Sequence, residues 1–381
     1  MNPAPTNLIL SRWVNGALIA VFGVLLWLPT IDTFFHIDYT PVINEKRALA
    51  QFPHLKSFPG GLKEYIAGLE ACFDDHFGCR NQLIRWHINW QLKFLRATGG
   101  SGPIVIIGSD NWLFYAQNQM VEHYRGVRQF TPQNLRDWQE LLEHRRDWLA
   151  QRGIKYVFVI APDKHSIYSE HLPFRMTKAH PETKLDQFYT YMRDHSTVEV
   201  VDLRPALLDA CRIAPTYLKT DTHWNAFGGF VACREIAKKL GLEPLSLDSF
   251  ELKKIGQDGG DLAGMLGVKM IEENAISLTP KTNLSSLELS ASLAKNPDYR
   301  GPSFANNPRV KVAALVFCDS FGFALMPFLD CQFDKAVCLR RQELDAKSIE
   351  REKPDVVISE IVEREFNIRD PNKIRAEEAL Q

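Results

Sequence analysis

The longest apolar run in this chain lies near its N-terminus. The run "WVNGALIAVFGVLLWLPTI" contains nineteen residues without a charge between Arg12 and Asp32. As a helix it would extend about 28 Å, which is close to the hydrocarbon thickness of a bilayer. We therefore expect residues 1–35 to form a short cytoplasmic stub and a transmembrane signal anchor.

Beyond this run, short apolar segments alternate with segments of helical periodicity. The apolar segments are "KYVFVIAP", "TVEVVDL", "KVAALVFCDS", "KAVCLR" and "PDVVISEIV". Continuous apolar runs of this length are typical of buried parallel strands, whereas the helix that opens at Thr131-Pro132 and closes at Gly153 is amphipathic. The alternation predicts one α/β domain over residues 36–381, with an open, mostly parallel sheet and helices on both faces.

The residues that flank the apolar run indicate whether it is cleaved and how it is oriented in the membrane. A cleaved signal peptide is the alternative, but Pro29 to Thr33 contain no small-x-small cleavage site, which favours an uncleaved anchor. Arg12 precedes the run, and positive charge stays on the cytoplasmic side. We therefore expect a single-pass protein of the cell inner membrane whose larger part faces the periplasm.

Charge and cysteine content exclude some classes of function. Lys and Arg number 45 against 46 Asp and Glu, so the net charge is −1 and nucleic-acid binding is not indicated. The seven cysteines form no C-x-x-C motif, which disfavours a zinc ribbon; buried thiols and disulfides both stay open. Asp74, Asp75 and His76 are too close in sequence to converge readily on one ion, and we expect no metal or cofactor.

One strand end carries a candidate nucleophile. In "ALVFCDSFG" an apolar strand leads through Cys318 and Asp319 to Ser320, and a helix follows. A serine on a sharp strand-to-helix turn exposes its hydroxyl, and nearby backbone N–H groups can hold an oxyanion. The alternative is that Ser320 only caps the helix.

A candidate base and its orienting acid lie in "TDTHW". Residues two apart in an extended segment point the same way, so the Asp221 carboxylate can hold one imidazole nitrogen of His223 while the other faces a hydroxyl. The alternative is a helix cap beside an inert histidine. Together with Ser320, these residues complete a Ser-His-Asp set at one predicted sheet edge.

Several other polar or aromatic residues are candidate substrate contacts. Lys164 and Tyr168 follow one predicted strand, and polar loop positions explain them equally well. Glu360 and Arg364 accompany the last strand, where a salt-bridged strand end is the alternative. The remaining candidates are Arg341 and Trp224, and for Trp224 packing is the safer interpretation.

The motifs "TDTHWNAFG", "VFCDSFG", "APDKHSIYSEHLP", "GGDLAGMLG" and "KPDVVISEIVERE" occur in an order that resembles the alginate O-acetyltransferase family of AlgJ and AlgX type. The resemblance extends to "EKRALAQFP", "DDHFGCRNQLI" and "GSDNWLFY" upstream. It implies an SGNH-hydrolase-like fold in which Asp-x-His precedes the serine. Cys318 departs from the family, which usually has a small residue there.

The resemblance also implies an activity and its partners. It implies transfer of acetyl groups to hydroxyls of an exported polysaccharide through an acetyl-serine intermediate, with Ser320 as nucleophile, His223 as base and Asp221 as its orienter. The acetyl donor would be relayed by a membrane-bound O-acyltransferase. Two alternatives stay open: a periplasmic carbohydrate acetylesterase, and a non-catalytic protein that binds polysaccharide or organises an assembly.

Overall fold

The computed structural model of the chain describes residues 5–35, 49–53, 62–90, 104–266, 273–281, 298–300 and 311–379. The chain divides into two compact units. The first comprises residues 1–95 and 264–269, and the second comprises residues 96–263 and 270–381. The domain boundary expected after residue 35 stays a prediction, and these units divide the chain further along.

The first unit contains three of the described helices, α1 (Pro5–Phe35), α2 (Leu62–His76) and α3 (Arg80–Trp90). Within α1, the segment Trp13–Thr33 has 21 residues and a mean hydropathy of 2.0. Length and composition therefore allow it to cross a membrane, although a signal sequence meets the same criteria. A three-residue turn, residues 77–79, separates two of these helices, because α2 ends at His76 and α3 begins at Arg80.

The second unit follows the alternation of strands and helices that the apolar pattern predicts. Its strands are β1 (Val105–Ile107), β2 (Leu113–Tyr115), β3 (Lys155–Ala161), β4 (Glu199–Asp202), β5 (Phe250–Gln257), β6 (Glu273–Pro280), β7 (Asp298–Arg300), β8 (Ala313–Phe317), β9 (Lys335–Leu339) and β10 (Val356–Val362). Its helices are α4 (Met120–Tyr124), α5 (Pro132–Ala150), α6 (Lys164–Ile167), α7 (Lys184–His195), α8 (Arg204–Ala210), α9 (Ala226–Lys239), α10 (Asp261–Met265, which reaches the boundary of the unit), α11 (Gly322–Gln332), α12 (Ala346–Glu352), α13 (Glu363–Phe366) and α14 (Pro371–Ala379).

Six strands form the central sheet in the order β4-β3-β10-β8-β9-β7. All neighbours are parallel except β7, which pairs antiparallel with β9 at the edge. The mostly parallel sheet expected from the sequence is thus confirmed. Parallel strands align their carboxyl ends, so the residues that follow β3, β8 and β10 reach the same edge of the sheet.

The strands are apolar on both faces because helices cover both. Along β3, Val157 and Val159 pack in one buried cluster with residues of α9 and α11, while Tyr156 and Phe158 pack in the other with residues of α5 and α7. Successive side chains of a strand point to opposite faces, which explains the division. A continuous apolar run such as "KYVFVIA" is therefore what a strand between two helical layers requires.

Two antiparallel hairpins lie outside this sheet. β1 pairs with β2, as the strand-turn-strand pattern of "PIVIIGSDNWLFY" predicts. β5 pairs with β6 over eight residues of each strand, and the pair lies partly within residues 256–310, where glycines interrupt the apolar pattern of the sequence. Residues 267–272, 282–297 and 301–310 of that region lie outside the described residues.

Candidate active site

Ser320 lies on the turn that joins β8 to α11. The strand ends at Phe317, and the helix begins at Gly322, so that only four residues make the reversal. Gly322 is required by close packing, because a Cβ atom there would meet Sγ of Cys318. The sharp turn predicted from "CDSFG" is present, and it presents the Ser320 hydroxyl at the carboxyl edge of the sheet.

The side chain of Asp319 holds this turn against β10. Its Oδ1 accepts a hydrogen bond from the backbone N–H of Phe321 at 2.8 Å, and Oδ2 accepts one from Val362 at 2.7 Å. The backbone N–H of Asp319 in turn donates to Oε2 of Glu360 at 3.2 Å. A disulfide from Cys318 to Cys338 also ties the turn to β9. The nucleophile turn, residues 318–322, is therefore fixed by its two neighbouring strands.

The predicted base lies beside the predicted nucleophile. Oγ of Ser320 lies 2.8 Å from Nε2 of His223, and Nδ1 of His223 lies 2.7 Å from Oδ1 of Asp221. The same Oδ1 accepts the backbone N–H of His223 at 2.9 Å. With the proton on Nδ1 donated to Asp221, Nε2 is the acceptor for the Ser320 hydroxyl. The three groups thus form one hydrogen-bonded series, in the geometry that nucleophilic catalysis by serine requires.

The base segment, residues 220–223, has no regular secondary structure, and buried polar groups hold it in place. Nζ of Lys164 donates to the carbonyl oxygens of Leu218 at 2.9 Å, Lys219 at 3.0 Å and Asp221 at 2.5 Å. Lys164 is only 2% exposed. The ammonium group therefore satisfies the carbonyls of Leu218 and Asp221, and it shares the carbonyl of Lys219 with the backbone N–H of Leu113.

The "GGD" sequence that opens α10 supports the same segment from the other side. Oδ2 of Asp221 accepts the backbone N–H of Asp261 at 3.0 Å, and Oδ1 of Asp261 accepts the backbone N–H of Thr222 at 2.8 Å. Gly260 lies so close that a Cβ atom would be 2.5 Å from the Asp221 carboxylate. A residue larger than glycine would therefore push the orienting acid away from His223.

Electrostatics shift the pKa values of two buried acids of the site in opposite directions. Burial alone would raise the pKa of Asp221, but the hydrogen bonds and charge of His223 lower it below its ordinary value. Burial, and then the charge of Asp319, raise the pKa of Glu360 well above its ordinary value. Asp221 is therefore an anion that can stabilise an imidazolium, whereas the environment of Glu360, beneath the nucleophile turn, disfavours its charged form.

Among the described residues, Asp221, His223 and Asp261 form one group whose side chains could hold a metal ion. Their candidate ligand atoms lie within 4.8 Å of one another. Each carboxylate already accepts backbone N–H groups, and His223 directs its other nitrogen to Ser320. The arrangement fits a proton relay better than an ion site, because a cation here would compete with the hydrogen bonds that orient the base.

An open pocket of about 420 Å³ lies over Ser320. Its lining is rich in arginine: Arg340, Arg341, Arg364 and Arg369 contribute, alongside Asp319, Glu343 and Glu365. Arg364 pairs with Asp163 at 2.6 Å and Arg369 with Glu343 at 3.0 Å. Arg340 is exposed and has no carboxylate partner among the residues that the structure describes; its guanidinium lies over the ring of Phe323. The pocket therefore offers cationic groups to a ligand.

The structure separates the six candidate substrate contacts into two groups. Arg341 and Arg364 line the pocket over Ser320. The other four are buried and held by protein groups, an arrangement that does not support direct contact with a substrate: Trp224, Lys164, Tyr168 and Glu360.

Of these four, Trp224 shows the role of the buried residues most clearly. It is 2% exposed, and its indole N–H donates to the carbonyl oxygen of Phe321 at 2.9 Å. The base segment is thereby tied directly to the nucleophile turn. Its burial and this hydrogen bond favour a packing role for Trp224.

Sequence reasoning assigned no role to three residues of the site. Asp319 was read only as part of the turn, and Gly260 and Asp261 only as part of the "GGDLAGMLG" motif. The usable signal was local: a Gly-Gly-Asp sequence is typical of a close backbone approach followed by a helix start. Nothing in it indicates which distant segment it approaches.

The sheet and the serine-histidine-aspartate series place the chain among α/β proteins of the SGNH-hydrolase-like type. Residues 105–298 match the family described as "SGNH hydrolase-like domain, acetyltransferase AlgX". The match covers a little over half of the chain, and the protein therefore belongs to this family, whose members include the AlgJ and AlgX types.

Curated relatives point to the same family. The chain is 27% identical over 278 residues to the "Probable alginate O-acetylase AlgJ" of Azotobacter vinelandii, covering 71% of this chain and 63% of the relative. It is 30% identical over 245 residues to the protein of the same description from Pseudomonas syringae pv. tomato, covering 61% and 55%. The chain thus spans between about half and two thirds of the length of these relatives.

Solved structures support the fold. PatB1 of Bacillus cereus, solved with a sulfonyl adduct, superposes with a TM-score of 0.52 at 18% identity, and the match covers 71% of this chain and 99% of that one. At this level of identity the similarity concerns the fold alone. It agrees with the mostly parallel sheet described above.

Proposed function

We propose that this protein is an O-acetyltransferase that modifies hydroxyl groups of an exported polysaccharide through an acetyl-serine intermediate. The observation that carries the proposal is the continuous series Ser320–His223–Asp221, with distances of 2.8 and 2.7 Å. Membership of the AlgX family and the name of the AlgJ relatives support acetyl as the transferred group and a polysaccharide as the acceptor.

The first half of the reaction forms the acetyl-enzyme. Nε2 of His223 takes the proton of Ser320 while Oγ bonds to the carbonyl carbon of the acetyl donor. The resulting oxyanion needs a donor, and the backbone N–H of Ser320 has no hydrogen-bond partner within the described part of the chain. The tetrahedral intermediate collapses as His223 returns the proton to the leaving group.

The second half transfers the acetyl group. A sugar hydroxyl gives its proton to Nε2 of His223 and attacks the acetyl carbon; collapse then breaks the bond to Oγ, and His223 reprotonates Ser320. Asp221 stays ionised and stabilises the imidazolium in both halves, because its pKa is lowered by His223 even against the effect of burial. Transfer rather than hydrolysis requires that the acceptor excludes water at this step.

The lining of the pocket favours an acidic acceptor. Arg340 and Arg341 are exposed beside Ser320, and guanidinium groups bind carboxylates in a bidentate manner. Alginate, which appears in the names of the AlgJ relatives, is a polymer of uronic acids and would present such carboxylates. We therefore propose a uronate-containing polysaccharide as acceptor.

The proposal includes a location and a partner. The apolar segment Trp13–Thr33 would anchor the protein in the cell inner membrane with the catalytic unit in the periplasm. A membrane-bound O-acyltransferase would relay the acetyl donor, since acetyl groups activated in the cytoplasm must cross the bilayer to reach Ser320.

Product analysis tests the activity. The full chain in detergent receives an activated acetyl ester and uronate oligosaccharides, and acetylated sugar is measured by mass spectrometry. We expect acetylated sugar from the native protein and from the control Ser169→Ala, a change at an exposed serine, but not from Ser320→Ala. Acetate without acetylated sugar would favour an esterase. A folded protein with neither product nor acetyl adduct would favour a non-catalytic role.

A further inference from the structure

The N-terminal helix is covered by protein at one place. Among the described side chains of α1, those of Pro29 and Asp32 are buried, and most of the others are exposed. Trp27 is 66% exposed and Phe35 is 75% exposed, although they lie only two and three residues from the covered positions Pro29 and Asp32. The covered place lies at the C-terminal end of the apolar segment Trp13–Thr33.

The turn between α2 and α3 covers Pro29 and Asp32. The backbone N–H of Cys79 donates to Oδ2 of Asp32 at 2.7 Å. Gly78 packs directly on the carbonyl of Pro29, where any side chain would clash. This turn is therefore held at the level where the apolar segment ends.

Apolar side chains on both helices flank this turn without being covered. Leu62, Ile66 and Phe73 follow one stripe of α2 and are exposed by 49%, 47% and 64%. On α3, Leu83 is 44% exposed and Trp86 is 63% exposed. Such a face is unusual on a soluble helix pair, since none of the residues of α2 is buried.

We propose that this face, residues Leu62, Ile66, Phe73, Leu83 and Trp86, inserts into the lipid interface on the periplasmic side of the membrane. The inference rests on the proposed membrane anchor. If Trp13–Thr33 spans the bilayer, then Pro29 and Asp32 lie near its outer surface, and so does the turn bound to them.

The position of Phe73 relative to the turn favours lipid as the occupant. Phe73 contacts Phe77, with 5.5 Å between ring centroids, and Phe77 adjoins the glycine that touches Pro29. One helical turn rises about 5.4 Å, so Phe73 lies within roughly 10 Å of the end of the anchor. Aromatic side chains concentrate at this depth, where one side is apolar and the other is hydrated.

Fluorescence quenching by lipids tests the proposal in the full chain. An environment-sensitive fluorescent amino acid replaces Phe73, or Trp86 in a second variant, and the protein is reconstituted in phosphatidylcholine vesicles with or without brominated acyl chains. The matched control carries the same label at Ala71, an exposed position of α2 on the side opposite Phe73. A label at Phe22 of α1 reports whether the anchor itself is in the bilayer.

We expect bromolipids to quench the labels at Phe73 and Trp86 and to leave the label at Ala71 nearly unquenched, because interfacial apolar groups lie at the headgroup–acyl boundary. The result should not change with the ratio of protein to lipid. Quenching at Phe22 without quenching at Phe73 or Trp86 would overturn the proposal and leave the anchor intact. A blue-shifted but unquenched label at Phe73 would assign the face to a protein partner. If Phe22 is also unquenched, the anchor itself is refuted, and this inference with it.

Discussion

The nucleophile turn and the base segment lie in hydrogen-bond contact, but they are stabilised in different ways. The nucleophile turn continues a buried strand and is held by the adjacent strands β9 and β10. The base segment has no strand or helix of its own, and it depends on Lys164 and Asp261, which are distant in sequence. The central sheet therefore determines the position of Ser320, whereas hydrogen bonds between buried polar groups determine the position of His223.

The largest effect should follow from changing the acid of that network. In Asp221→Asn the carboxylate that fixes the tautomer of His223 is lost, so we expect kcat/KM to fall by about 10³ to 10⁴ while the fold is retained. Initial rates of acetyl transfer and circular dichroism give the measurement. Asp209→Asn, a change at an exposed carboxylate, should leave the rate unchanged. Near-native activity of Asp221→Asn would mean that Asp221 does not orient His223.

A smaller effect should follow from releasing the base segment without touching the triad. Lys164→Met leaves the carbonyls of Leu218 and Asp221 without their donor, whereas that of Lys219 keeps the backbone N–H of Leu113. The change should therefore cost about 2 kcal/mol of stability and, by displacing His223, about 100-fold in activity. The control Lys219→Met removes an exposed charge from the same loop. Equal behaviour of the two variants in unfolding and rate measurements would contradict the positioning role of Lys164.

The nucleophile turn should tolerate the loss of its covalent link. The Cys318–Cys338 disulfide closes a sequence separation of 20 residues, so Cys338→Ser should lower the free energy of unfolding by about 3 kcal/mol. Activity should fall less than about tenfold, because the hydrogen bonds of Asp319 still hold the turn. Cys72→Ser, at a free cysteine, is the control. A larger loss of activity than in Lys164→Met would reverse the comparison.

The free energy of unfolding should fall in acid because of His165, the residue that follows Lys164. Burial, and then the charge of Lys164, lower the pKa of His165 to about 3. In the unfolded chain His165 therefore binds a proton as the pH falls through about 6.5, whereas in the folded protein it stays neutral. The free energy of unfolding consequently falls as the pH falls below that value. Between pH 7 and pH 5 the contribution of His165 should lower the free energy of unfolding by on the order of 2 kcal/mol.

His165→Phe separates this effect from other titrations. His165 packs against Phe114, with 5.1 Å between ring centroids, so a phenyl ring suits the site. Unfolding midpoints measured from pH 7.5 to 5 should show a shallower dependence on pH in this variant. An unchanged slope would show that His165 does not contribute to it.

Particular residues show how far sequence could predict this architecture. The strands β3, β8, β9 and β10 are continuous apolar runs between turn residues, and such local patterns determine an element wherever it later packs. The pairing of β5 with β6 was missed, because "FELKKIGQ" and "ENAISLTP" alternate weakly and their pairing is decided by tertiary contact. Ser320, His223 and Asp221 could be chosen as candidates because strand-end position and spacing are visible in sequence, and the structure places their side chains in hydrogen-bond contact.

Lys164 marks the limit of that reasoning for the site. A lysine after a strand looks like a substrate contact, and only the folded chain shows that its ammonium is directed at the carbonyls of residues 218, 219 and 221. Gly260 poses the same difficulty, since its lack of a side chain matters only when the Asp221 carboxylate is brought against it. Local chemistry is readable from sequence, but the partner of a buried polar group is not.

Trapping of the acetyl-enzyme is the direct test of Ser320 as the nucleophile. The full chain is incubated with an activated acetyl ester in the absence of acceptor, quenched in acid, digested and examined by mass spectrometry. We predict one added acetyl group on the peptide that contains Ser320; it should disappear when uronate oligosaccharide is added and should be absent from Ser320→Ala. Acetyl transfer to sugar that persists in Ser320→Ala, or an acetyl group carried by a different residue, would show that Ser320 is not the nucleophile.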